Sequence, residues 1–276
     1  MSRRLLPLLA LVLGILSSDL SAQELGATVQ TNSSGAVTNV VFRVWAPSAT
    51  AVRVSGEFNN WATNAPTLSS NSTTKIWTGS VANARPGQAY KYAITTTNNQ
   101  TLWRKDPRSR QVRTLTGGIP AYVTNGSSQQ ASVIYNHNPG AFDWSGDLFI
   151  PPDPKDIVMY EMHVGTFYDP TPNDGHPATF DDAIQKLDYL KGLGVNMIAL
   201  MPVQEFNGRH SWGYNPSDPF AIEETYGGPD AFKRFVKAAH LKGMAVQVDV
   251  VHNHYGDLSG DTNAWTSLKT SDLENF

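Results

Sequence analysis

The chain has 276 residues, 40% of them hydrophobic and 16% charged, with a net charge of −3 and a pI near 6.1. This is the balance of a chain that folds rather than one that stays disordered. No basic stripe is available to follow a phosphate backbone, which disfavours nucleic acid as a partner. The absence of cysteine removes disulfides, thiol catalysis, iron–sulfur clusters and thiolate zinc sites.

Met1-Ser-Arg-Arg precedes an apolar run from Leu5 to Leu16, and small residues follow as far as Ala22. That is the order of a secretory signal, and the run is too short to cross a bilayer comfortably. Residues 1–22 are therefore expected to be a signal peptide. The expected location is secreted or periplasmic, without membrane attachment once the signal is removed. Roughly 250 residues remain, room for two ordinary domains.

Residues 28–125 read as all-β. Val40-Val-Phe-Arg-Val-Trp45 alternates, and Ala46-Pro47 stops it. Ala51-Val-Arg-Val-Ser55, Lys75-Ile-Trp-Thr-Gly-Ser-Val81, Ala89-Tyr-Lys-Tyr-Ala-Ile94 and Thr101-Leu-Trp103 continue the pattern between turn signals. Short strands at this spacing predict a β-sandwich, immunoglobulin-like in architecture. Trp45 and Trp77 are expected in its core. Residues 126–155, rich in proline and glycine after Asn138, form the expected linker or junction.

From residue 156 to 276 strand and helix alternate. Asp156-Ile-Val-Met-Tyr-Glu-Met-His163, Val195-Asn-Met-Ile-Ala-Leu-Met201 and Met244-Ala-Val-Gln-Val-Asp-Val-Val251 read as strands. Thr179 and Asp182 have capping-box spacing, ahead of a helical stripe of Phe180, Ala183, Ile184, Leu187, Leu190 and Leu193. A second helix begins at Pro229 and stops at Gly243. Such an order implies parallel strands with right-handed crossovers, and chemistry at their C-terminal ends. Periodicity alone leaves a closed barrel and an open doubly wound sheet both available.

Two resemblances sharpen this reading. Gly56-Glu-Phe-Asn-Asn-Trp61, Ala89-Tyr-Lys-Tyr92 and Leu102-Trp-Arg-Lys-Asp-Pro107 resemble carbohydrate-binding module family 48. That likeness implies that Trp61 and Trp103 sandwich a glucan while Lys91 bonds its hydroxyls; packing of the same two indoles is the alternative. Tyr160-Glu-Met-His-Val-Gly-Thr166, Leu200-Met-Pro-Val-Gln-Glu-Phe206, Ser211-Trp-Gly-Tyr-Asn-Pro216, Tyr226-Gly-Gly-Pro-Asp230 and Asp249-Val-Val-His-Asn-His254 together resemble glycoside hydrolase family 13, the α-amylase family. The branching-enzyme and trehalohydrolase branches look most similar.

The second resemblance implies the first three βα units of a (β/α)8 TIM barrel and a retaining mechanism on α-1,4-glucosidic bonds. His254 would bond the sugar at the cleavage subsite, Tyr214 would stack beneath it, and Asp249 would order the strand end. Asn253 matches a position that ligates structural calcium in many α-amylases and not in several module-bearing members; no cofactor is otherwise required. His163 is either a satisfied interior residue or a ligand-facing one, and Trp212 is expected to anchor its loop. The expected partner is an α-glucan such as glycogen, starch or a maltooligosaccharide; the oligomeric state is open.

The family's nucleophile follows a Gly-x-Arg-x pattern, and no Gly-x-Arg-x-Asp occurs in these 276 residues. No catalytic residue is therefore assigned, and the chain by itself is expected to be inactive, an N-terminal piece of a longer enzyme. Its three parallel strands should leave an unpaired edge and a weakly stable second half. Three functions compete: an exported α-glucan hydrolase, a branching transferase, and a non-catalytic glucan-binding protein. A nucleotide-binding protein lacks its glycine-rich fingerprint.

Overall fold

The computed structural model describes residues 24–124 and 129–254. The expected signal peptide, residues 1–22, lies outside them, as do residues 255–276.

The first domain is two sheets face to face. Strands β1 (Gly26–Thr31), β2 (Val37–Trp45), β4 (Ser69–Ser70) and β5 (Ile76–Val81) make one sheet, in the order β1-β2-β5-β4. Strands β3 (Ala51–Gly56), β6 (Ala89–Thr95), β7 (Thr101–Arg104), β8 (Val112–Thr114) and β9 (Gln130–Val133) make the other, in the order β3-β6-β9-β8 with β7 also on β6. Alternation explains the arrangement: Val40, Phe42 and Val44 of β2 point inward and meet Val52, Val54, Tyr90, Tyr92 and Ile94 of the opposite sheet. The same alternation corrects one expectation. Trp45 follows Val44 and so points away from the core, at 44% exposure, whereas Trp77 is buried as expected.

The motif Gly56-Glu-Phe-Asn-Asn-Trp61 is a tight knot at the end of β3. Asn59 accepts from the Gly56 amide at 2.9 Å, and Glu57 accepts from the Ala89 amide at 2.9 Å. A Cβ on Gly56 would lie 2.3 Å from the Ala89 carbonyl oxygen, so β3 and β6 approach this closely only because residue 56 has no side chain.

β6 is buried on both faces. Its Ala89 and Ala93 belong to a second, smaller cluster with Trp61, Trp103, Val123 and Ala131. Val123 comes from a four-residue helix, α1 (Ala121–Thr124). The sandwich also reaches past the expected boundary at 125, because β9 pairs with both β6 and β8.

The second domain is built on three parallel strands, β10 (Met159–Met162), β11 (Met197–Leu200) and β14 (Ala245–Val248), in the order β10-β11-β14. A short helix α2 (Val164–Phe167) follows β10. Between β10 and β11 the single expected helix is two: α3 (Phe180–Ile184) and α4 (Leu187–Gly192). The interruption at Gln185–Lys186 shifts the stripe, so Leu187 and Leu190 are buried and Leu193 is exposed. Thr179 caps α3 as its spacing predicts, with the reciprocal bond from its amide to Asp182 at 2.9 Å. Helix α5 (Gly228–Leu241) buries Ala231, Phe235 and Ala239. An antiparallel pair, β12 (Gln204–Phe206) and β13 (Pro216–Ile222), lies between β11 and α5 in the chain.

The stretch expected to be a linker runs along α5. Tyr135 donates to Asp230 at 2.6 Å, Lys237 donates to the Asp143 carbonyl at 2.7 Å, and the Phe149 ring stacks on His240 at 4.3 Å between centroids. Among the described residues no helix is long and apolar enough to cross a membrane.

Candidate functional site at the parallel strand ends

Ile198 and Leu200 of β11 turn toward the helices and are buried. Glu161, Gln247 and Asp249 are exposed at register positions of the opposite set. Past the C-terminal end of β14 the chain places Asp249, Asn253 and His254 in the open. The Asp249 amide still donates to the Leu200 carbonyl at 3.0 Å, which fixes where its side chain leaves the sheet.

Tyr214 reaches this edge from the loop before β13. Its hydroxyl donates to Asp249 Oδ2 at 3.1 Å, and the His254 Nε2 lies 2.6 Å from its carbonyl oxygen. His254 Nδ1 is 2.6 Å from the Asn253 amide nitrogen. Three of the residues singled out in the sequence, Tyr214, Asp249 and His254, thus meet at one exposed rim although 40 positions separate Tyr214 from His254. Partial burial, then the adjacent Asp249 carboxylate, raises the Tyr214 hydroxyl above its ordinary pKa, so the ring stays neutral.

The loop carrying Tyr214 is held from behind. His163 Nε2 meets the Ser211 carbonyl at 2.8 Å and the Tyr226 hydroxyl at 3.0 Å, while its Nδ1 meets Thr166 Oγ1 at 2.9 Å. Both ring nitrogens are thus bonded within the protein, at intermediate burial. Gly213, at φ +88°, lets the loop cross Pro202 where a Cβ would sit 2.1 Å from the carbonyl oxygen. Trp212 does not anchor this loop: it is 72% exposed.

Asn253 is exposed just past the end of β14. Its side-chain nitrogen faces His254, and the described residues contain no group of three or more His, Asp or Glu able to hold a metal. They do not by themselves make a cation site.

On the first domain the geometry departs from a sugar platform. Trp61 is 4% exposed, Trp103 is 7% exposed and Lys91 is fully buried. Lys91 alternates with Tyr90 and Tyr92, so it lies on the face of β6 that α1 covers, and its ammonium donates to the Val123 carbonyl at 3.2 Å. The two indoles pack in the smaller cluster, and a ring so enclosed offers no face to a sugar.

Between the domains sits a polar group that the sequence did not announce. Lys105 and Asp218 form a buried ion pair at 2.5 Å. Lys105 also donates to Gln130 Oε1 at 3.1 Å, and Gln130 Nε2 donates to Glu205 at 2.5 Å. Glu205 accepts in turn from the Glu224 amide, and the Glu224 carboxylate accepts from the Thr114 amide. Glu223, also buried, accepts from the Phe206 amide at 3.0 Å. Burial, then the charges of Glu223 and Asp218, raises Glu205 well above the ordinary carboxylate range; burial lifts Glu223 to about 7.

A sandwich locked onto a parallel βα segment, with an Asp–Tyr–His rim at the strand ends, defines a modular two-domain protein with a candidate site at its strand ends. Residues 24–109 match the model of carbohydrate-binding module 48 (isoamylase N-terminal domain), and residues 166–275 match that of the alpha amylase catalytic domain. The chain is similar to members of glycoside hydrolase family 13, the α-amylase family, over its second part and to family-48 modules over its first. It is 48% identical over 119 residues to a malto-oligosyltrehalose trehalohydrolase of Rhizobium sp. (strain M-11), covering 43% of this chain and 19% of that protein. It is 30% identical over 223 residues to a 1,4-alpha-glucan branching enzyme of Halothermothrix orenii, covering 79% of this chain and 33% of that one. A crystal structure provisionally described as an alpha amylase from Salmonella typhimurium superposes with a TM-score of 0.65 at 31% identity, over 85% of this chain and 34% of that one. The chain therefore spans a third or less of the length of these curated relatives.

Proposed function

We propose that the whole protein is an exported enzyme that cleaves α-1,4-glucosidic bonds of an α-glucan with retention, most similar in kind to a branching enzyme. The observation that carries this reading is the rim where the Tyr214 hydroxyl bonds Asp249 while the His254 ring sits against the Tyr214 carbonyl. In it, the Tyr214 ring supplies an apolar face for a sugar at the cleavage subsite, and His254 donates to that sugar's hydroxyls once its Nε2 leaves the Tyr214 carbonyl it meets here. Asp249 holds the Tyr214 hydroxyl and so the tilt of the ring. The three parallel strands are read as the opening βα units of a (β/α)8 barrel, whose chemistry lies on this face.

The reaction needs two carboxylates about 5 Å apart. None of the 276 residues is assigned to those roles, so this stretch is read as gripping substrate and as inactive alone. Cleavage passes the glycosyl group to a 6-hydroxyl in a branching enzyme and to water in a hydrolase. The likeness to branching enzymes favours the first, and the signal-like N-terminus favours the second. Incubating the whole protein with amylose separates them: α-1,6 linkages at a constant number of reducing ends mean transfer, and new reducing ends mean hydrolysis. If neither appears, the enzymatic reading is wrong.

A further inference from the structure

Residues 119–124 lie across the face of β6 on which the family-48 likeness places its glucan. The Tyr122 ring packs on Trp103 with centroids 5.4 Å apart, tilted by 40°, and the Tyr122 hydroxyl donates to the Trp61 carbonyl at 2.8 Å. One residue on, the Val123 carbonyl accepts from the Lys91 ammonium, and the Val123 side chain is sealed among Trp61, Trp103, Ala89 and Ala93. Each contact has the form a sugar would supply: a flat face against an indole, a hydroxyl on a polar atom, an oxygen before the ammonium.

The hold of this segment is one-sided. Tyr122 is 42% exposed, and the chain enters through Gly117 and Gly118, both at positive φ with no atom within 4 Å of a would-be Cβ. Beside Tyr122 opens a cleft of about 700 Å³ lined by Arg53, Gln100, Thr101 and Trp103, a size that suits a small ligand.

We propose that residues 119–124 are a built-in occupant of the module's aromatic face, and that an α-glucan binds there only by displacing them. The inference rests on the glucan reading of the module and adds its regulation. Glucan affinity at this face is then reduced by the fraction of molecules in which the segment is lifted.

The test uses the whole 276-residue chain and maltoheptaose. Tyr122→Ala removes the ring that clamps the segment from a half-exposed position, so the sandwich keeps its core. It should bind about tenfold more tightly by calorimetric titration, through the larger open fraction. In the unmodified chain, saturating maltoheptaose should speed hydrogen exchange of the Val123 amide, which here donates to the Pro120 carbonyl at 2.9 Å. If the chain and Tyr122→Ala bind equally and exchange at Val123 does not change, the proposal falls and the glucan reading stands. If neither binds, both fall.

Discussion

Single residues here do work that their type alone does not reveal. His163 joins Thr166, Ser211 and Tyr226, and through Ser211 it holds the loop on which Tyr214 stands. Tyr226→Phe keeps the buried ring and deletes the hydroxyl opposite His163. It should cost about 1 kcal/mol of stability by chemical denaturation, the usual worth of one such bond. Gly56→Ala should be more severe. Its Cβ would meet backbone and the Tyr90 side chain, and overpacking of this kind costs about 1–3 kcal/mol, read as a lowered unfolding midpoint. Asp106, quoted in the sequence only as part of Lys-Asp-Pro, is buried and accepts from both the Tyr90 and Tyr92 hydroxyls, at 2.7 and 3.1 Å. Burial raises its carboxyl despite these donors. Those partners stand 14 and 16 positions away, too far for any local pattern to show them.

At the scale of elements, local signals were legible where the governing contact is itself local. The capping box at Thr179 needs only three residues, and it formed as its spacing implies. Thr179→Ala should lower stability by about 1 kcal/mol, with helix loss confined to α3 in exchange measurements. The continuous stripe from Phe180 to Leu193 misled for a related reason. Periodicity measures which residues are apolar, and a brief departure from helical geometry at Gln185–Lys186 leaves the count of apolar residues unchanged. Strands β2, β3, β5, β6 and β7 of the sandwich were readable from alternation, but β1, β4, β8 and β9 were not. In β9 four residues, Gln130–Val133, gain strand form by pairing with β6 and β8, whose sequences are distant.

For the whole molecule, the junction between the domains dominates. A buried ion pair is costly to break by removing one partner, because the other charge is left stranded. Lys105→Met should cost about 3–5 kcal/mol and loosen the two domains together, and Lys105→Met with Asp218→Leu should recover most of it, both read by calorimetric unfolding. The pH dependence has a definite sign. Glu205 and Glu223 hold their protons more tightly in the native state than in the unfolded chain. Their contribution is therefore complete below the ordinary carboxylate pKa near 4.3 and declines as pH rises through the native values, about 7 for Glu223. The unfolding midpoint should fall between about pH 5 and about pH 8, and Glu205→Gln should flatten that fall. A midpoint that climbs across this range would contradict the assignment.

By itself the sequence determined the two-part order, five of the sandwich strands and the parallel βα alternation, and the family resemblance picked out Tyr214, Asp249 and His254. These follow from periodicity and from short motifs, which are properties of neighbouring positions. Only the tertiary structure decided that Trp61, Lys91 and Trp103 are enclosed, that Trp45 and Trp212 are exposed, and that Lys105 meets Asp218 across 113 positions. Burial and pairing of that kind depend on which surfaces come to lie against one another, and a chain read one residue after the next does not contain that distance.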